Sequence, residues 1–176
     1  LRMADELAEG PQRTARFVMD HLGYKPENQL FHLYARCVEV HIDRPRGLFA
    51  LSHHIPIRKD GESFVGNGEG LKQLLEFMYH RVVKLDQERK YTKFYCDWLS
   101  PYLSTSASFR FEVDIEDYDL GLRSIELNDK VVPGEVTLSL TARYEEYAPD
   151  QIITKLRVIM EPDEATGAGG TEGEML

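Results

Sequence analysis

Three carboxylates, Glu112, Asp114 and Glu116, stand two residues apart on one stretch of this chain. Three bases, Lys155 and Arg157 on another stretch and Arg143 on a neighbouring one, fall in the same period-two pattern. Side chains two apart on a β-strand share a face, so the pattern would set a carboxylate row against a row of bases. A tunnel-shaped, divalent-metal-dependent phosphohydrolase needs that equipment: the carboxylates hold Mg or Mn through oxygen, and Arg143, Lys155 and Arg157 hold a polyphosphate. The competing interpretation is a one-sided antiparallel sheet whose charges face water and pair across strands. It carries more weight, because the Glu-x-Glu-x-Lys opening of the tunnel enzymes is absent.

Other candidate chemistry is thinner. Asp114-Ile-Glu-Asp-Tyr-Asp119 gathers four carboxylates, but without the central Gly and closing Glu of a calcium loop, so it reads as an exposed acidic turn. His32 and His41 flank Cys37, and His53-His54 follow on the next stretch. If the two stretches pair, His41 could approach His53 or His54 and form a two-His site; no metal motif supports this. Gly66-Asn-Gly-Glu-Gly70 outlines a phosphate cradle before a helix but lacks the Gly-Lys-Ser/Thr ending, and Glu69 sits where the anion would come. No Gly-x-Ser-x-Gly occurs. Cys37 and Cys96 make neither a disulfide framework nor a zinc pattern, and read as buried free thiols in a reducing intracellular compartment such as the cytoplasm.

The aromatic group Tyr91, Phe94, Tyr95, Trp98 and Tyr102 offers something different. Tyr and Trp dominate protein-docking hot spots, so Tyr91, Tyr95 and Tyr102 are read as a protein-binding patch. Phe94 and Trp98 are assigned instead to helix-to-sheet core. Residues 81–93, with Arg44-Pro-Arg46, form the one basic-aromatic zone, and Lys84, Arg89 and Lys90 are read as a solvated helix face.

These residues need elements to position them. Residues 1–9 suit a short helix ended by Gly10, and Pro11 opens a second helix to Leu22. Residues 30–42 are read as a strand with a bulge near Tyr34. Residues 48–57 form a second strand running back against it, with Phe49, Leu51, His53, Ile55 and Ile57 on one face. Leu71, Leu74, Leu75, Met78, Val82 and Leu85 trace a helix over residues 70–90, which continues or breaks before Pro101. In 106–116, Phe109, Phe111, Val113 and Ile115 alternate with charges, a strand with one apolar face. A short strand at 123–127 follows. Residues 135–147 and 152–160 alternate in the same way and are read as a long antiparallel hairpin.

The resulting fold class is α+β: an antiparallel sheet of five or six strands, covered on one face by a long or broken helix and an N-terminal helix. Residues 1–161 make a single domain, and 162–176 an acidic, Gly-rich, disordered tail. Of 30 acidic residues in the 176-residue chain, five lie in residues 161–176, which leaves 25 against 21 bases. A net negative field disfavours nucleic acid and anionic membranes, and no apolar run approaches the ~20 residues of a membrane helix. The reading is therefore a non-enzymatic protein-binding or assembly module, taking a protein partner or self-associating, with no cofactor. The alternatives are the Mg- or Mn-dependent phosphohydrolase and, second, a nucleic-acid-binding subunit.

Overall fold

A computed structural model describes residues 2–13, 28–58, 65–98, 103–113, 116–122, 124–127 and 139–160. The order of elements is α1 (Arg2–Leu7), a 3-10 turn (Pro11–Arg13), α2 (Gln29–Cys37), β1 (Val38–Asp43), β2 (Leu48–Ile57), α3 (Gly68–Tyr95), β3 (Ser104–Val113), β4 (Glu116–Tyr118), β5 (Ile125–Glu126), α4 (Leu140–Arg143), a 3-10 turn (Glu145–Tyr147) and α5 (Pro149–Met160). The sheet runs β1-β2-β3-β4, with two-residue β5 also on β3.

The chain is α+β, but the sheet is mixed rather than antiparallel. β1 and β2 form the expected antiparallel pair, joined by a turn that Gly47 closes at φ 60°, a conformation that only Gly adopts without cost. β2 and β3 are parallel over their full length. The reason is α3, which at 28 residues is roughly 42 Å long. A helix that long, packed along one face, carries the chain back to the starting end of the sheet, and the next strand must then run in the same direction.

The inner face follows strand alternation. Leu51, His53, Ile55 and Ile57 of β2 sit opposite Ala107, Phe109, Phe111 and Val113 of β3, and all eight are buried. Leu71, Leu74, Leu75, Met78, Val82 and Leu85 of α3 join them in one core. α2 closes one side through Tyr34, whose ring meets Phe77 at 5.6 Å and His53 at 6.1 Å. The Glu145–Tyr147 turn closes the other, with Tyr147 edge-on to Phe109 at 5.6 Å.

Three expectations need correction. Residues 29–37 are helix, not strand: Leu30, Leu33, Tyr34 and Cys37 lie at i, i+3, i+4, i+7, and only Val38–Asp43 is extended. The long C-terminal hairpin is not formed by the described part of its residues. Residues 140–143 and 149–160 are helical, and α5 buries Ile152 and Leu156 at i, i+4 while Val158 is 56% exposed. Finally, the 106–116 strand ends at Val113, and β4 runs back antiparallel with Glu116 opposite Val113 and Glu112 opposite Asp117. Of the expected helix from Pro11 to Leu22, Pro11–Arg13 is a 3-10 turn; the remainder, residues 135–138 and the tail lie outside the described residues.

Candidate protein-docking surface

α3 begins with Asn67, whose side chain accepts from the Glu69 backbone N–H at 3.0 Å, an N-cap that satisfies a donor the helix leaves open. The Gly66–Gly70 stretch is thus a helix start. Lys72 then donates to Asp150 at 3.0 Å and ties α3 to α5.

At 100° per residue, Leu71, Leu74, Leu75, Met78, Val82 and Leu85 define one stripe, and Arg89 lies on its continuation. The stripe changes chemistry there without leaving the interior. Arg89 and Asp86 are fully buried, and Lys90 is 5% exposed. Arg89 donates to Asp86 Oδ1 from Nε at 3.0 Å and from Nη2 at 2.6 Å, and Lys90 Nζ lies 3.4 Å from Oδ2. Nearer the middle of the helix, a second network fastens α1. Arg81 pairs with Glu9 and, at 3.4 Å, with Glu6, while Lys84 meets Glu6 at 2.6 Å. Lys84, Arg89 and Lys90 therefore do not form the solvated basic face that the sequence suggested. Arg89 and Lys90 are spent on buried Asp86, and Lys84 on buried Glu6.

The aromatic residues lie on the other side. Tyr91, Phe94 and Tyr95 occupy a sector of about 100°, roughly opposite the buried stripe. Tyr91 is 38% exposed, Phe94 54% and Tyr95 72%, and Trp98, just past the helix end, is 89% exposed. The rings are organised among themselves. Tyr91 and Tyr95 stack with centroids 6.1 Å apart, and Phe94 meets Tyr95 edge-on at 4.9 Å, geometries that aromatic pairs favour. Phe94 and Trp98 belong to this surface, not to the core where their residue types had placed them. Continuing the Leu71–Leu85 phase past residue 86 would have revealed this for Phe94; Trp98 lies beyond the last helical residue, Tyr95. Tyr102 lies outside the described residues.

The catalytic candidates are not brought together. Lys155 and Arg157 are exposed on α5, where residues two apart point about 200° apart. Arg143 sits in α4, its guanidinium 5.6 Å from the Tyr144 ring centre. Glu112 faces away from the core, 3.7 Å from His54. Asp114 lies outside the described residues, and Glu116 belongs to β4 rather than to a row with Glu112. Among the described residues no group of three or more His, Cys, Asp or Glu could hold a metal ion.

The histidine pair does not form either, because His41 is registered with Ala50, while Val38 faces His53. His53 is a core residue. Its Nδ1–H donates to the Ser108 carbonyl at 3.0 Å, and its ring stacks on Phe109 at 4.4 Å. Burial pulls its pKa down to about 4. Burial also pushes the Cys37 thiol up to about 12, so it stays protonated and unreactive at neutral pH. Both cysteines are free. No helix among the described residues is long and apolar enough to cross a membrane. Comparison with protein-family models, with characterised proteins and with solved structures gives no match to this chain.

Proposed function

We propose that this chain is a protein-binding or assembly module that docks through the aromatic end of α3. One observation carries the reading: Phe94, Tyr95 and Trp98 are 54%, 72% and 89% exposed within two turns of chain. Grouped exposed aromatics of this size mark interaction sites, and Tyr and Trp supply large contact area at little entropic cost. Upstream of them, α3 is tied to the body by Lys72 to Asp150 of α5 and by Arg81 and Lys84 to Glu6 of α1, so the rings are presented on an anchored helix. The phosphate-handling alternative has its bases dispersed over two helices. The nucleic-acid alternative has lost Arg89 and Lys90 to the interior.

The test is affinity capture from the native extract with two baits, the wild-type chain and a Phe94→Ser/Tyr95→Ser/Trp98→Ser variant of matched helical content. The reading expects a protein recovered in stoichiometric amount by the first bait and weakened more than about tenfold for the second. Equal recovery by both baits, or none by either, contradicts it.

A further inference from the structure

β1 stands at the end of the strand order, and among the described residues its one strand neighbour is β2. Edge strands present unpaired backbone N–H and C=O groups, and proteins usually blunt them with Pro, Lys, a bulge or an inward-facing charge. Val38-Glu-Val-His-Ile-Asp43 has no Pro, Lys or bulge, and its acidic residues, Glu39 and Asp43, lie on the face away from the core. Its apolar residues share the inner face, yet Ile42 is 60% exposed. A groove of about 560 Å³ runs beside the strand, lined on one side by Val38, Val40 and Ile42 and on the other by Leu7, Gly10 and Pro11.

We propose that two copies of this chain associate by antiparallel pairing of their β1 strands, with Val40 at the two-fold axis, so that the two sheets become one. The polar side chains select both the partner and the register, Glu39 accepting a hydrogen bond from the imidazole of His41 across the new pair. With Val40 opposite Val40 of the second copy, Glu39 faces the second copy's His41 and His41 faces its Glu39. Ile42 faces the second copy's Val38 and enters the groove beside it. Sliding by one step in one direction sets Glu39 against Glu39. Sliding in the other sets His41 against His41 and Glu39 against Asp43. Like charges directly opposite are unfavourable, and an odd slip would reverse the faces. In the single chain, Glu39 and His41 pair with one another at 3.3 Å, with side chains more than half exposed. Association exchanges that contact for two cross-strand pairs. β1 and the aromatic end of α3 are separate elements, so this proposal does not depend on the docking reading above.

The experiment is sedimentation equilibrium up to about 100 μM on the full chain, with far-UV circular dichroism to verify folding. Wild type is expected to dimerise, Ile42→Lys to be monomeric, and Glu39→Lys to weaken the dimer about tenfold or more. The exchanged variant Glu39→Lys/His41→Glu, which sets opposite charges face to face, is expected to recover wild-type affinity within a few-fold. A monomeric wild type, a dimer indifferent to Ile42→Lys, or an exchanged variant as weak as Glu39→Lys overturns the proposal. So does a dimer that Trp98→Ala dissociates and Ile42→Lys does not, which would assign self-association to the aromatic surface. Should Ile42→Lys fail to fold, the Glu39 and His41 variants decide alone.

Discussion

α3 carries two stripes of large apolar residues, and they have opposite fates. Leu71, Leu74, Leu75, Met78, Val82 and Leu85 are at most 4% exposed, whereas Tyr91, Phe94 and Tyr95 range from 38% to 72%. Both stripes have helical spacing, and the second has the greater hydrophobic surface per residue. The difference is phase. The interior-facing stripe continues past Leu85, but its occupants become Asp86 and Arg89, and the aromatics rotate to the far side. A helix that buried its aromatics would set them where Arg89 is. Here a salt bridge occupies that place, and the rings are left for water or for another protein.

The two stripes respond differently when broken. Asp86→Ala leaves Arg89 and Lys90 without their buried carboxylate, and the expected loss is about 4 kcal/mol, read from chemical denaturation. A loss under about 1 kcal/mol, the range of surface pairs, would mean that water already reaches the cluster.

The core opposite the first stripe has its own handle in His53, whose pKa falls from 6.5 unfolded to about 4 in the fold. Between those values the unfolded chain binds more protons, so stability rises with pH. The contribution is complete above pH 6.5 and is lost as pH falls towards 4. It is on the order of 3 kcal/mol. Replacing His53 with Phe should flatten that part of the stability–pH curve; an unchanged slope would show that the imidazole is solvated in the native state.

The smallest expected effect belongs to the second stripe. Tyr95→Ala should change unfolding free energy by no more than about 0.5 kcal/mol, as surface substitutions do. A loss near 3 kcal/mol, the range for truncating a buried aromatic ring, would place the ring inside.

Much of this molecule was legible before its coordinates. Phe109, Phe111 and Val113 alternate with charge, and no helical stripe competes with them, so β3 had one reading. Ile152, Leu156, Ile159 and Met160 satisfy a period of 3.6, while Ile152, Thr154, Leu156 and Val158 satisfy a period of two. Periodicity alone does not choose between them, and β-branched residues favoured the strand. Pro149 and Asp150 at the start were the helix signal that should have decided it. Leu30, Leu33, Tyr34 and Cys37 carried a helical stripe that ran directly into a strand, and treating both as one element hid the junction. Of the exposed aromatics, Tyr91 and Tyr95 were expected at the surface from residue type, Phe94 needed the helix phase, and Trp98 lies past the helix end. The place of β1 at the end of the strand order among the described residues was not readable at all, since strand order depends on which way α3 returns the chain.

Trp98 is the one tryptophan in the sequence, so its fluorescence reports on the aromatic end of α3 without labelling. In the folded chain at high dilution we expect emission at the wavelength of indole in water, quenched by iodide as readily as in the unfolded chain. Blue-shifted emission protected from iodide, in the same dilute folded state, would show the aromatic end packed against the body and contradict its role as an open docking surface.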